Sequence, residues 1–421
     1  MLKIIRQLFT GHTPKLGGLE ILKYVGPGFV VTIGFIDPGN WAANVAAGSQ
    51  FGYSLLWVVT VSTLILILVQ HNAAHLGIVT GLCLSEAISR FLGKKAKIVF
   101  LGSAMLASIS TSLAELLGAA IGLNMLFGMP LSIGTLLTAV SIIAVVLSNG
   151  YRVIERYLIG FVSLIGLSFI YEIFLADVNW QATANGLFVP AFPQGSIIII
   201  MAVLGAVIMP HNIFLHSEII QSREWHLGDE ESIRKHLRYE YIDTILAMIA
   251  GWTINSAMII VAAAVFFVHG ITVTELPQAE ATLRPLLGNN AARVFALALL
   301  MAGFSSAVSS ALAGGSIFAG WFGEPLDVHD NHSRLGVLIS VSVAALLILL
   351  LTDPFQGLIW SQVALSIQLP WTLLALIMLT SSAKVMGEHR NKGVEKAVLW
   401  GIALFITGLN AILLFSLLQG T

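Results

Sequence analysis

The stretch Asp37-Pro38-Gly39-Asn40 interrupts an apolar run, about 24–47, that is otherwise long enough to cross a bilayer. A carboxylate near the middle of such a run costs roughly 2.5 to 3.5 kcal/mol even on the lenient insertion scale, so it must meet a partner there. Pro38 removes a backbone donor and clashes with the preceding turn, while Gly39 adds backbone freedom. The run therefore reads as two half-helices joined by unwound backbone, with loose carbonyls beside the Asp37 carboxylate and the Asn40 amide. Whatever fold the chain adopts has to enclose that oxygen-rich pocket.

A second apolar segment, about 196–220, is broken by Met209-Pro210-His211-Asn212, so both breaks have the form x-Pro-x-Asn. Pro38 and Pro210 stand 172 residues apart. Kinking is the plainer reading of either proline alone, since membrane helices tolerate it. Paired Gly/Pro-interrupted spans in corresponding positions of two halves point instead to the substrate site of a secondary transporter.

Composition sets the solvent. Of 421 residues, 57% are hydrophobic and 10% charged, where soluble domains carry about a quarter charged, so the chain is an all-α polytopic membrane protein. The single Cys83 excludes an intramolecular disulfide, and no paired-cysteine zinc pattern is present. Residues 1–22 carry Lys3, Arg6 and Lys15 without a long apolar core, which reads as an N-terminal tail on the cytoplasmic side rather than a signal peptide. Nothing calls for nucleic acid or a resident cofactor; the partner is the lipid bilayer, and a monomer is the expectation.

Windows of about 20 apolar residues place eleven spans near 23–47, 54–78, 98–127, 131–149, 154–176, 195–221, 241–268, 289–318, 335–352, 357–382 and 395–418. With the N-terminus cytoplasmic, nineteen Lys and Arg residues fall on the inner side and only Arg284 and Arg293 on the other. That bias orients the chain and leaves the C-terminus outside. The broken spans are the first and the sixth. Five spans followed by five, each set opening on a broken helix, make a 5+5 inverted repeat: a ten-helix core over 23–382, its halves about 23–176 and 195–382, with an additional helix at 395–418. The charged connection 222–240 reads as a short surface helix, and Asn255 as a residue that bonds across helices.

Oxygen ligands alone suit Mg, Ca, Mn or Na ions, but the Met209 thioether beside the second break is soft, poor for Mg or Ca and better for Fe, Co or Cd. The two motifs, Asp37-Pro38-Gly39-Asn40 and Ala206-Val207-Ile208-Met209-Pro210-His211-Asn212, resemble the hallmarks of the Nramp family of divalent metal transporters. The likeness extends to 52–58, 76–81, 300–320 and Ser361-Gln362-Val363. It implies the LeuT-type fold, alternating access, and proton-driven import of Mn(II) or Fe(II), with Cd(II) and Co(II) also accepted. By motif position the ligands are Asp37, Asn40, Met209 and the carbonyls of Gly34 and Ala206, joined by Gln362 on occlusion.

Two departures bear on the proton. Where family members carry D-x-x-E in the third span this chain has Ser112-Leu113-Ala114-Glu115, and at the ninth span Arg334 stands where adjacent arginines are usual. Glu115, His211, His216 and Arg334 are the candidates left for a proton pathway, and an uncoupled Mg(II) or broad divalent cation carrier is the alternative. A remote rival is an intramembrane metalloprotease, from His71 and His75 at i and i+4, but Asn72 occupies the place of the H-E-x-x-H glutamate, so no enzyme is expected.

Overall fold

A computed structural model describes residues 37–148, 166, 169–221, 230–283 and 288–419. The tail, the first half of the opening span with Gly34, and most of the fifth span lie outside the described residues. The principal helices are α1 Pro38–Phe51, α2 Leu56–Thr80, α3 Leu84–Phe91, α4 Lys94–Phe127, α5 Leu131–Leu147, α6 Trp180–Phe188 and α7 Ile197–Ile208. They continue with α8 Pro210–Gln221, α9 Glu230–Val265, α10 Ala291–Phe322, α11 Asn331–Ile348, α12 Pro354–Thr380 and α13 Gly393–Gln419. Eight helices among the described residues are long and apolar enough to cross a membrane, the α7–α8 pair counting as one; α5 is a shorter apolar helix.

The second break falls where expected, and at the first the helix starts at Pro38 after an extended Asp37, the half before it lying outside the described residues. Asp37 caps α1, its Oδ1 accepting from Asn40 N at 2.5 Å, and Pro38 takes the first helical position, where its missing N–H costs nothing. The sixth span divides into α7 and α8 at Met209, the one non-glycine residue with positive φ (30°) among those described. A methionine held there is strained, so the surrounding packing has to impose it.

Small residues let the core helices close up. A Cβ on Gly303 of α10 would lie 2.7 Å from the Glu115 carbonyl of α4, and one on Gly48 of α1 would lie 2.5 Å from the Ile259 carbonyl of α9. Without a hydrophobic force between helices in lipid, such close backbone approach supplies the packing. A buried amide pair adds to it: Asn44 Nδ2 donates to Asn255 Oδ1 at 2.5 Å, which meets the expectation for Asn255. Nearly every face of α1 is covered, Trp41 lying edge-on to Phe169 with centroids 5.5 Å apart. The outer helix α13 is largely lipid-facing, as suits an appended span.

One local expectation fails. Residues 230–240 do not form a separate surface helix but extend α9 in one piece to Val265. No proline interrupts the stretch, and Glu230 pairs with Arg234 at i,i+4, so the helix grows out of the span into water.

Candidate metal centre

The geometry of the centre follows from two missing donors. In an α-helix the N–H of residue i bonds the carbonyl of i−4. Pro210 has none to give, so the Ala206 carbonyl at the end of α7 is free to look elsewhere. It accepts from Asn40 Nδ2 at 3.0 Å, across 166 residues of sequence. The same nitrogen donates to Asp37 Oδ2 at 2.9 Å. Carboxylate, amide and carbonyl therefore share one polar point, buried between the two breaks. The same i−4 count from Pro38 gives Gly34, outside the described residues.

Met209 is buried at this junction, and its Sδ accepts from Asn212 Nδ2 at 3.2 Å, which orients the thioether. The C-terminal carbonyls of α7 bring partial negative charge to the same place. Gln362 of α12 completes the surround. A Cβ on Gly39 would run into its side-chain amide, and one on Gly205 into its backbone carbonyl, so both glycines exist to let α12 approach both breaks. Its Nε2 donates to Ser361 Oγ at 3.0 Å. Gly118 on α4 admits the Pro38 ring in the same way.

The residues named for protons separate into different surroundings. Glu115 is buried beside Asp37, with Ser306 as a hydrogen-bond partner for one oxygen and none among the described residues for Oε2. His211 and His216 meet different partners. Nδ1 of His211 meets Thr111 Oγ1 of α4 at 3.0 Å, whereas Nε2 of His216 meets Glu240 Oε1 of α9 at 3.4 Å. Arg334 is exposed in the first turn of α11 and is not brought to the buried groups. Ser112 lies in a closed set of hydroxyls: its Oγ is 2.9 Å from those of Ser310 and Ser340, and Ser340 is 2.9 Å from Ser108. No titrating side chain belongs to that set.

The helix-face pair His71 and His75 forms no zinc site. His71 Nδ1 is engaged by Glu240 Oε2 at 2.7 Å, and the two rings stand 6.2 Å apart. Among the described residues only Glu324, Asp330 and His332, on the connection from α10 to α11, place three His or carboxylate ligand atoms within 4.8 Å of one another. Glu240, Thr111 and Ser306 escaped the sequence reading; for Glu240 the available signal was a carboxylate at the very edge of an apolar run.

The sequence profile of the Nramp family, natural resistance-associated macrophage protein-like, matches residues 28–416. The chain is 38% identical over 410 residues to the divalent metal cation transporter MntH of Caldanaerobacter subterraneus subsp. tengcongensis, covering 96% of each. It is 36% identical over 416 residues to MntH of Bacillus subtilis, covering 98% of this chain and 96% of that one. A crystal structure of a mutant of the manganese transporter of Eremococcus coleocola superposes with a TM-score of 0.78 at 28% identity, covering 96% of this chain and 88% of that one. The nucleobase-cation-symport-1 transporter Mhp1, at 17% identity and a TM-score of 0.62 over 93% and 87%, shares the LeuT-type fold alone.

Proposed function

Because this chain belongs to the Nramp family, we propose that it imports divalent transition metal ions, Mn(II) or Fe(II) with Cd(II) and Co(II) also accepted, by alternating access at the junction of α1, α7 and α8. One observation carries the reading. Two proline breaks, one in the opening span of each half, bring a carboxylate, an amide and a freed carbonyl to one buried point, with the Met209 thioether buried at the second break. Three oxygens and one sulfur suit a borderline metal better than Mg(II) or Ca(II), which take oxygen alone. Asp37, Asn40, Met209, Ala206 and Gly34 hold the ion as substrate, and Gln362 closes over it. The family consists of transporters, and no catalytic residue is assigned.

The orientation follows the lysine and arginine count, with the N-terminus cytoplasmic and the C-terminus outside. Residues 23–176 and 195–382 form the two repeats, and the carrier acts as a monomer in the cytoplasmic membrane. Proton coupling runs through Asp37 and Glu115. A second reading, transport without proton coupling, draws on the neutral hydroxyls around Ser112 and the exposed Arg334. Mn(II) uptake into proteoliposomes, with internal pH recorded and excess external Mg(II) present, tests both. Saturable uptake that resists Mg(II) supports the site, and acidification of the lumen in step with uptake supports coupling. Uptake abolished by Mg(II) would sink the transition-metal reading.

A further inference from the structure

Glu240 is a fully buried carboxylate that the metal centre does not use. It accepts from Thr244 Oγ1 at 2.7 Å and lies between two imidazoles, His216 Nε2 on Oε1 at 3.4 Å and His71 Nδ1 on Oε2 at 2.7 Å. No lysine or arginine pairs with it among the described residues. The three groups come from α8, α9 and α2 and form one line. At its inner end His216 is 1% exposed, and its Nδ1 has no hydrogen-bond partner among the described residues. At its outer end His71 is 28% exposed and lines a cavity of about 580 Å³ together with His75, Tyr241, His389 and Arg390. On the lysine and arginine count this cavity faces the cytoplasm.

A buried nitrogen left without a partner is costly, and a structural role for His216 does not recover that cost. We propose that His216, Glu240 and His71 are a proton outlet from the half-helix α8 to the cytoplasmic cavity, a route distinct from the exit of the metal. The proposal rests on the carrier reading above. His216 lies seven residues from Met209, about 10 Å along the helix axis, so the outlet is separate from the ligands.

The atoms balance. A proton arriving at Nδ1 of His216 lets Nε2 pass its own proton to Oε1 of Glu240. The neutral carboxyl rotates and gives that proton to Nδ1 of His71 in its Nε2–H tautomer. His71 then releases the Nε2 proton to cavity water, and both imidazoles return by tautomer exchange. One proton enters and one leaves. The hydroxyl set of Ser108, Ser112, Ser310 and Ser340 cannot serve in its place, because its members are bonded to one another and none titrates near neutral pH.

Other charged groups surround the line. The ring of Tyr241 lies 4.7 Å from that of His71, and His75 stacks beyond it. His389 hydrogen-bonds Glu230 at 3.0 Å, while Glu388, Arg390 and Glu395 rim the cavity. At the far end of α8, Glu218 is taken up by Ser316 Oγ at 2.6 Å and Leu326 N at 3.0 Å, and Glu86 by Gln221 at 2.7 Å. None of these carboxylates bonds either imidazole of the line.

The test uses the full chain in proteoliposomes, with Mn(II) uptake and lumenal pH followed together. His71→Ala is the mild variant, since His71 is partly exposed. It should slow proton delivery to the lumen by about tenfold or more, with recovery on adding imidazole to the lumen and with Mn(II) affinity in detergent within about twofold of the parent. Glu240→Gln should show the same loss without rescue by imidazole. Unchanged proton delivery in His71→Ala, or a loss that imidazole does not restore, overturns the outlet. A parent protein that moves Mn(II) without protons also overturns it while leaving metal transport standing, and a parent that neither binds nor moves Mn(II) overturns the carrier reading itself.

Discussion

Asp37 has two tasks that a substitution can separate. Its Oδ1 caps α1 through Asn40 N, and in the proposed site its charge balances the ion. Asp37→Ala removes both and should abolish uptake, while Asp37→Asn keeps a capping oxygen and should leave a folded protein that binds no Mn(II), as calorimetry in detergent will read. Met209 acts differently. Met209→Ala should cost selectivity more than affinity, so that Mg(II) or Ca(II) competes with Mn(II) uptake at least several-fold better; unchanged competition would remove the thioether from the account. Cys83, in the connection between α2 and α3, offers a check on packing at those helix ends. Burial, with the Glu218 and Glu86 carboxylates nearby, pushes its thiol well above the usual range. It should resist maleimide at pH 8 in the folded protein and react fully once denatured in detergent.

At the scale of helices, the two proline breaks depend on what packs against them. Gly205 lies one residue before Ala206, and a Cβ there would strike the Gln362 carbonyl. Gly205→Ala should push α7 off α12 and destabilise the fold by about 1–3 kcal/mol, seen as a lower thermal transition, and should impair uptake even though no ligand is touched. The division of the sixth span into α7 and α8 was legible beforehand, because proline acts through its own missing donor and needs no partner to break a helix. The approach of Gln362 to both breaks rested on family likeness, since no pattern within α12 points to it. The extension of α9 back to Glu230 was not legible either. Charged residues suggest a separate surface element, but a helix ends only where something stops it, and between Glu230 and Val265 nothing does.

Over the whole molecule, the charge count makes a claim about sidedness that labelling can check. In a Cys83→Ser background, an impermeant maleimide added to intact cells should reach Met129→Cys, beyond the end of α4, and spare Lys392→Cys, before α13. The reverse pattern would invert the chain and place the cavity beside His71 outside. The sequence by itself determined the solvent, most of the apolar spans, the helix start at Pro38, the break at Met209 and the residue types gathered at those two places. Each of these depends on one residue or on a local run: a proline lacks its donor and a carboxylate is costly in lipid wherever the chain later goes. Only the tertiary structure decided that the freed carbonyl of Ala206 turns to Asn40, that His211 and His216 part company, and that Glu240 joins His216 to His71. Those pairings span as many as 169 residues, and they depend on which helix faces pack together, a choice that small residues make by fitting and that no local pattern of hydrophobicity encodes.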